Sequence, residues 1–287
     1  MTFKRKLCAA AVASAAWSAP AHAIDFGGVF GDNVFSDTAG IFSEMLDTLM
    51  PGVTNVRLGL GPAWSPRFEG SDNYKVRAAP LISLRYRDLI EIDNNNLRVN
   101  ILGRGNLLDS ANFSAGPLVK VDFGRDESDS IDLRGLGKVG TSLELGVFGA
   151  YTAGPARYRL KFRQDVTSGH SGLLIDADVT LAVYRSDTFA VGSRLSTTWA
   201  SSDYMNSYFG VTAAQAAASG LAVYRAGSGM KDVTLSAGGE YRFSERWALV
   251  LNGSVSQLLS DAKNNPLVDT RGSPTQLSLG AFAVFTF

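Results

Sequence analysis

The sequence predicts an antiparallel transmembrane β-barrel of about twelve strands (about ten to fourteen), preceded by a short helical segment. Three observations carry that expectation. Apolar residues recur with a period of two over most of the chain after residue 53. The connections between the alternating runs are by turns long and short. The chain also ends on an aromatic residue, Phe287, at the tip of an alternating run. Its 287 residues are 45% hydrophobic and 19% charged, with 27 basic and 27 acidic side chains. That balance leaves no polycationic surface for nucleic acid, and charge is too sparse for a disordered chain. No run of eighteen apolar residues follows the N-terminus, so a helical membrane protein is not expected.

Met1–Ala23 has the pattern of a secretory signal peptide: Lys4, Arg5 and Lys6, then a small-residue apolar stretch, then Pro20 and the cleavage signal Ala21-His22-Ala23. Its removal takes away Cys8, the single cysteine, so the exported chain forms no disulfide and no thiolate metal site. Residues 24–52 read as an N-terminal periplasmic extension, in which Thr38 caps a short helix over Ala39–Met50. That helix is expected to pack on the barrel rim, the alternatives being that it plugs the periplasmic mouth or lies on the inner leaflet. Residues 53–287 form the barrel.

Within the barrel the last run is the plainest. Leu277, Leu279, Ala281, Ala283, Phe285 and Phe287 fall on one face, and Gln276, Ser278, Gly280, Phe282, Val284 and Thr286 on the other. Val56, Leu58, Leu60 and Trp64 share a face, as do Val76, Ala78, Pro80, Ile82, Leu84 and Tyr86, opposite Lys75, Arg77 and Arg85. Shorter runs at 88–93 and 97–103 flank the turn Asn94-Asn95-Asn96. Further runs occupy 115–124, 138–152, 156–167, 173–185, 189–200, 231–243, 247–260 and 275–287. With the N-terminus in the periplasm, 65–73, 125–137, 168–172, 201–230 and 261–274 are outer loops, mostly long. The turns at 87–88, 153–155, 185–188 and 244–246 are tight and periplasmic. Two connections break the pattern: 104–114 is long on the short side, and 94–96 is short on the long side.

The candidate lumen residues lie in two neighbouring runs. Arg157, Arg159, Lys161 and Arg163 alternate with Tyr158, Leu160 and Phe162, and the next run carries Asp176, Asp178, Thr180 and Tyr184 on one face. Antiparallel pairing sets the carboxylates beside the basic row. The main reading is internal salt bridging that fills a narrow lumen; the sharper alternative is an anion-selective filter.

Several segments resemble the MltA-interacting protein/OmpV (MipA/OmpV) family of outer-membrane proteins. They are Gly59-Leu60-Gly61-Pro62 with Phe68-Glu69-Gly70-Ser71-Asp72; Gly124-Arg125-Asp126-Glu127-Ser128-Asp129 with Gly135-Leu136-Gly137; Tyr208-Phe209-Gly210-Val211 with Gln215, Ser219 and Gly220; and Asn265-Pro266-Leu267-Val268. Together they span about residues 54–287 in the expected order. The extension 24–52 departs from the family, whose members enter the first strand soon after the signal peptide. The resemblance implies a location in the bacterial outer membrane, contact with its lipid and lipopolysaccharide, and a scaffold role toward a lytic transglycosylase and a penicillin-binding protein. It implies no enzymatic activity and no cofactor. A porin-like channel for small, anionic solutes is the first alternative and a surface adhesin or antigen the second.

Chemistry beyond this is thin. His170 lies in Ser168-Gly169-His170-Ser171-Gly172, which reads as a turn without an orienting partner for nucleophilic catalysis. The acidic run Asp126, Glu127, Asp129 and Asp132 lacks the spacing of a calcium loop and reads as a solvated outer loop, with Arg125 paired to a neighbouring carboxylate. Thr212–Ser219 is alanine-rich and reads as a helical turn, one that could fold into the lumen as a constriction.

Overall fold

The computed structural model describes residues 55–287; the signal peptide and the helix expected over Ala39–Met50 lie outside them. The strands are β1 (Asn55–Pro66), β2 (Tyr74–Tyr86), β3 (Ile90–Asp93), β4 (Asn96–Val99), β5 (Leu102–Gly103), β6 (Leu108–Asp109), β7 (Phe113–Asp122), β8 (Ser142–Ala153), β9 (Ala156–Asp165), β10 (Leu173–Arg185), β11 (Phe189–Ala200), β12 (Gly229–Arg242), β13 (Trp247–Leu258) and β14 (Thr275–Thr286). Four short helices follow the ends of strands: α1 (Ser202–Phe209), α2 (Ala213–Ser219), α3 (Ser260–Asn264) and α4 (Pro266–Arg271).

The wall strands β1–β4 and β7–β14 each pair antiparallel with their sequence neighbours, and two further pairings close the cylinder. The last strand returns to the first, with Leu58 opposite Phe285 and Trp64 opposite Leu279. The two-residue strands β5 and β6 form a small ribbon beside β7, so the wall passes from β4 directly to β7, Leu97 opposite Val119. The result is a closed barrel of twelve strands. Closure leaves few unpaired backbone groups to face hydrocarbon.

Side chains alternate as the sequence pattern demands. On β14, Gln276, Ser278, Phe282 and Val284 are buried inside, whereas Leu277 and Leu279 are exposed on the outer surface. The apolar outer belt carries aromatic rings near the tight-turn rim, among them the contacting pairs Phe113–Tyr151 at 4.7 Å and Trp247–Phe285 at 5.0 Å. On the other rim Trp64 stacks on Tyr74 at 4.3 Å. Aromatic girdles of this kind mark the interfaces of membrane barrels.

The structure adjusts the expected boundaries in three places. The run at 138–152 becomes a strand only at Ser142, because Val139 pairs with Arg125 in an isolated bridge that belongs to the loop. A bulge between Ala182 and Tyr184 reverses the alternation, so Tyr184 faces out beside Phe189 rather than into the lumen. The arms around Asn94–Asn95 are only four residues each, so this hairpin stops part-way up the wall. That explains its short connection on the long-loop side.

Candidate functional site

Inside the cylinder, the inward residues of neighbouring strands meet at registers set by the ladder. Lys161 lies opposite Asp176 and Arg159 opposite Asp178. Arg159 donates to both carboxylate oxygens of Asp178 at 3.1 and 3.2 Å, and Arg194 of β11 donates to the same group at 2.9 Å. Arg163 grips Asp176 through two parallel bonds of 2.8 and 2.9 Å and also bonds Glu144 of β8. Arg157 donates to Ser114 at 3.0 Å. All four basic candidates therefore point inward, and Arg159 and Arg163 are tied to Asp178 and Asp176.

Lower in the lumen, Arg57 and Arg242 both bond Glu240, and Arg98 bridges Glu91 and Asp93. Beside these groups Ala63, Ala79, Leu81, Val250, Phe282 and Val284 make an apolar plug from β1, β2, β13 and β14. Phe282 is fully buried there. Taking so many charges from water is tolerable only because each is held by oppositely charged or hydrogen-bonding neighbours.

Toward the loop rim the lumen widens into a cavity of 210 Å³, lined by side chains of both signs that include Lys120, Asp122, Glu144, Lys161, Arg163 and Lys231. The rim above it is closed by the segments that carry the family-type motifs. Tyr204, Met205, Tyr208 and Phe209 of α1 are buried over the opening, against Val139, Leu174, Ala200 and Leu258. Tyr208 donates its hydroxyl to Asp122 at 2.7 Å, and Arg125 donates to the Tyr208 carbonyl at 2.7 Å. Burial, with Asp122 adding to it, pushes the Tyr208 hydroxyl well above the usual phenol range. Burial likewise draws the Arg125 guanidinium down from its usual value. Arg125 thus reaches a carbonyl and a ring 83 residues away, where the sequence suggested a neighbouring carboxylate.

The rest of the motif residues build the same clasp. Gly124 has φ of +75°, and a Cβ there would lie 2.1 Å from the Val139 carbonyl oxygen. Asp126 caps a 3-10 turn, Glu127–Asp129, and the amide of Ser128 holds its carboxyl below the usual range. Glu127 accepts from the amides of Gly135 and Gly137. Gly210 ends α1, and the buried Val211 forms a bridge with Tyr224. Gln215 closes the capping box of α2 with Thr212 and donates to the Leu136 carbonyl at 2.6 Å. Ser219 bonds the Gln215 carbonyl, and Gly220 ends α2 in the left-handed conformation. The acidic run is thus loop framework. Helix α2 buries none of its residues and stands on the rim, so the constriction is made by α1, whose Tyr208 and Phe209 the sequence marked as a family-type motif and not as a helix.

His170 lies beneath α1, 4.9 Å from the ring of Tyr204. The Gly172 amide donates to Nδ1 at 3.0 Å, so Nε2 carries the proton and donates to Glu144 Oε1 at 3.1 Å. Asp122, Glu144 and His170 bring ligand atoms within 4.8 Å of one another. Yet the imidazole lone pair is engaged by Gly172, Glu144 is held by Arg163, and Asp122 receives Tyr208. The histidine serves as a pin between strand and turn, and Asp165 fixes that turn by accepting the amides of Thr167, His170 and Ser171.

The sequence profile of the MltA-interacting protein MipA family matches residues 58–287, the barrel almost from its first strand to its last residue. The chain belongs to that family. It is thereby an outer-membrane β-barrel in contact with lipid. No curated protein matches it. Among solved structures the MipA-family chain is similar to the NanC porin (11% identity, TM-score 0.45, covering 79% of this chain and 98% of that one). It is also similar to the KdgM porin (11%, 0.39, 80% and 99%) and to an outer-membrane channel from Pseudomonas putida F1 (11%, 0.43, 83% and 97%).

Proposed function

We propose that this chain is a non-enzymatic, non-conducting outer-membrane barrel that serves as a scaffold, holding a murein-degrading lytic transglycosylase, and with it a penicillin-binding protein, at the membrane. The carrying observation is the filled lumen. Arg163 spans β8 to β10 through Glu144 and Asp176, the apolar plug around Phe282 occupies the lower half, and α1 lies across the upper mouth. A barrel so interlocked is better suited to rigidity than to flow. The family name supports the transglycosylase as partner. The surface for it is the tight-turn rim, where the longest excursion among the described residues, 100–112, exposes Leu107 at 84% and Leu108 at 58%.

The test combines two measurements. Purified protein in planar bilayers is expected to give no discrete conductance steps, and protein captured from detergent-solubilised envelopes is expected to carry the transglycosylase. Replacing Leu107 and Leu108 by serine is expected to lower that capture about tenfold. Discrete anion-biased steps abolished by neutralising Arg157, Arg159, Lys161 and Arg163 would instead establish the channel reading, which the basic side chains lining the 210 Å³ cavity favour.

A further inference from the structure

The outer face of the wall carries a groove of 740 Å³, within the range of about 300–1,000 Å³ usual for ligand sites. Register shows how it arises. One ladder row runs Ala115, Gly149, Leu160, Ala177, Thr197 and Val233 across β7 to β12. The next row toward the tight turns runs Phe113, Tyr151, Tyr158, Val179 and Leu195. Mostly small side chains thus form a floor, and large ones form a ledge beneath it. The Thr197 hydroxyl donates to the Asp232 carbonyl at 2.6 Å, so it is not left unbonded in hydrocarbon. Both rows face away from the lumen, so the groove is the same whether the lumen conducts or is filled.

Gly149 marks this floor as a place approached from outside. Glycine weakens a strand interior unless something needs its lack of a side chain. At Gly116 and Gly146 the wall itself needs it: a Cβ would lie 1.8 Å from the Val99 carbonyl oxygen and 1.9 Å from that of Phe162. At Gly149 a Cβ would meet nothing within 4 Å, and the backbone is ordinary strand. What gains from the bare backbone there is a molecule lying in the groove.

The course of the groove decides between occupants. It is continuous with the apolar belt, whose covering is membrane lipid. The floor crosses five strand spacings, about 24 Å; with strands tilted about 45° it climbs about 17 Å and winds about a fifth of the way round the cylinder. A second barrel, rigid and itself convex, meets such a wall along a narrow strip and cannot follow that path. A polymethylene chain can. The lower end opens at the aromatic girdle, where Tyr151 and Tyr158 are 40% and 51% exposed, and tyrosine favours the headgroup level of a bilayer. We infer that the groove is a binding site for one acyl chain of a phospholipid from the leaflet on the tight-turn side. Its ester end lies beside Tyr151 and Tyr158, and its methyl end points toward Val233.

The test is photolabelling of the full-length mature protein in phosphatidylethanolamine and phosphatidylglycerol vesicles that hold a trace of phosphatidylethanolamine with a diazirine on one acyl chain. Adducts are mapped to single residues by mass spectrometry. Leu160 in the groove and Leu251 outside it are each the fifth residue of a strand from its tight turn, so they sit at like depth. Leu195 and Leu279 make a second pair. The groove member is the less exposed in both, 42% against 51% and 49% against 56%, so general lipid contact would favour the other. Adducts on Leu160 and Leu195 are expected to exceed those on Leu251 and Leu279 by about fivefold. Gly149→Leu and Ala177→Leu fill the floor from the lipid side, folding being checked by heat-modifiable gel mobility. Each is expected to remove the excess and leave Leu251 and Leu279 unchanged. Equal labelling within the pairs in the unaltered protein overturns the proposal, and so does an excess that survives both fillings. Oxidative dimers of Leu160→Cys in greater yield than those of Leu251→Cys would give the groove to a second copy and overturn it as well.

Discussion

Arg163 is the side chain on which the lumen network depends most, and its removal has a calculable effect. It is 6% exposed and holds two carboxylates: Glu144, which is fully buried, and Asp176. In Arg163→Gln both charges stay in the interior. Glu144 then keeps the Nε2–H of His170, and Asp176 keeps the Thr198 hydroxyl at 3.1 Å. Removing one partner of a buried pair typically costs about 3–5 kcal/mol. With an unfolding slope of about 2 kcal/mol per molar urea, that lowers the urea midpoint by about 2 M. Arg159→Gln provides the comparison, because Asp178 retains Arg194 at 2.9 Å and the expected loss is only about 1–2 kcal/mol. Equilibrium urea titration in lipid vesicles, followed by tryptophan fluorescence, measures both. Adding Glu144→Gln and Asp176→Asn to Arg163→Gln removes the stranded charges and is expected to recover most of the midpoint. If Arg163→Gln is no more harmful than Arg159→Gln, or the added substitutions lower stability further, the reasoning about uncompensated charge is wrong.

Three more outcomes are expected. Tyr208→Phe removes a hydrogen bond to the carboxylate of Asp122, worth about 1.5–3 kcal/mol, and should speed amide exchange across α1 while leaving the strands protected. Pro80→Ala should change stability by less than about 1 kcal/mol, since the Pro80 nitrogen points away from β1; Ala79→Pro, which removes an amide facing β1, should cost about 3 kcal/mol or more in the same urea titration. Burial, with the hydrogen bond to Asp261, raises the Tyr224 hydroxyl to about 12. Because its folded value lies above the ordinary 10, the stabilisation is complete below pH 10 and is lost as pH climbs through 12. Proteolysis of the 201–228 loop should therefore accelerate over that window, and Tyr224→Phe should abolish the pH step.

The motif residues show where reading a chain stops short. Gly124 through Glu127 and Tyr208 through Gly220 are recognisable as two separate segments. Nothing local reveals that Arg125 reaches the Tyr208 carbonyl, that Gln215 reaches Leu136, or that both segments close one mouth. Helix α4 did carry a local signal, Asn265 capping the amides of Leu267 and Val268 ahead of Pro266 at the first turn. Helix α1 carried none, since Ser201 makes no side-chain cap and the helix is held by what it covers.

What the sequence by itself determined is the wall: which residues face lipid, which face inward, and where the chain turns. A period of two is a local property, and each strand repeats it independently. The tertiary structure alone decided what the wall encloses. Whether Arg163 lines a passage or locks it depends on Glu144 and Asp176 converging from strands on either side. How far the β3–β4 hairpin climbs the wall depends on its pairings with β2 and β7. Both follow from register, which couples residues far apart in the chain and is written in no single segment of it.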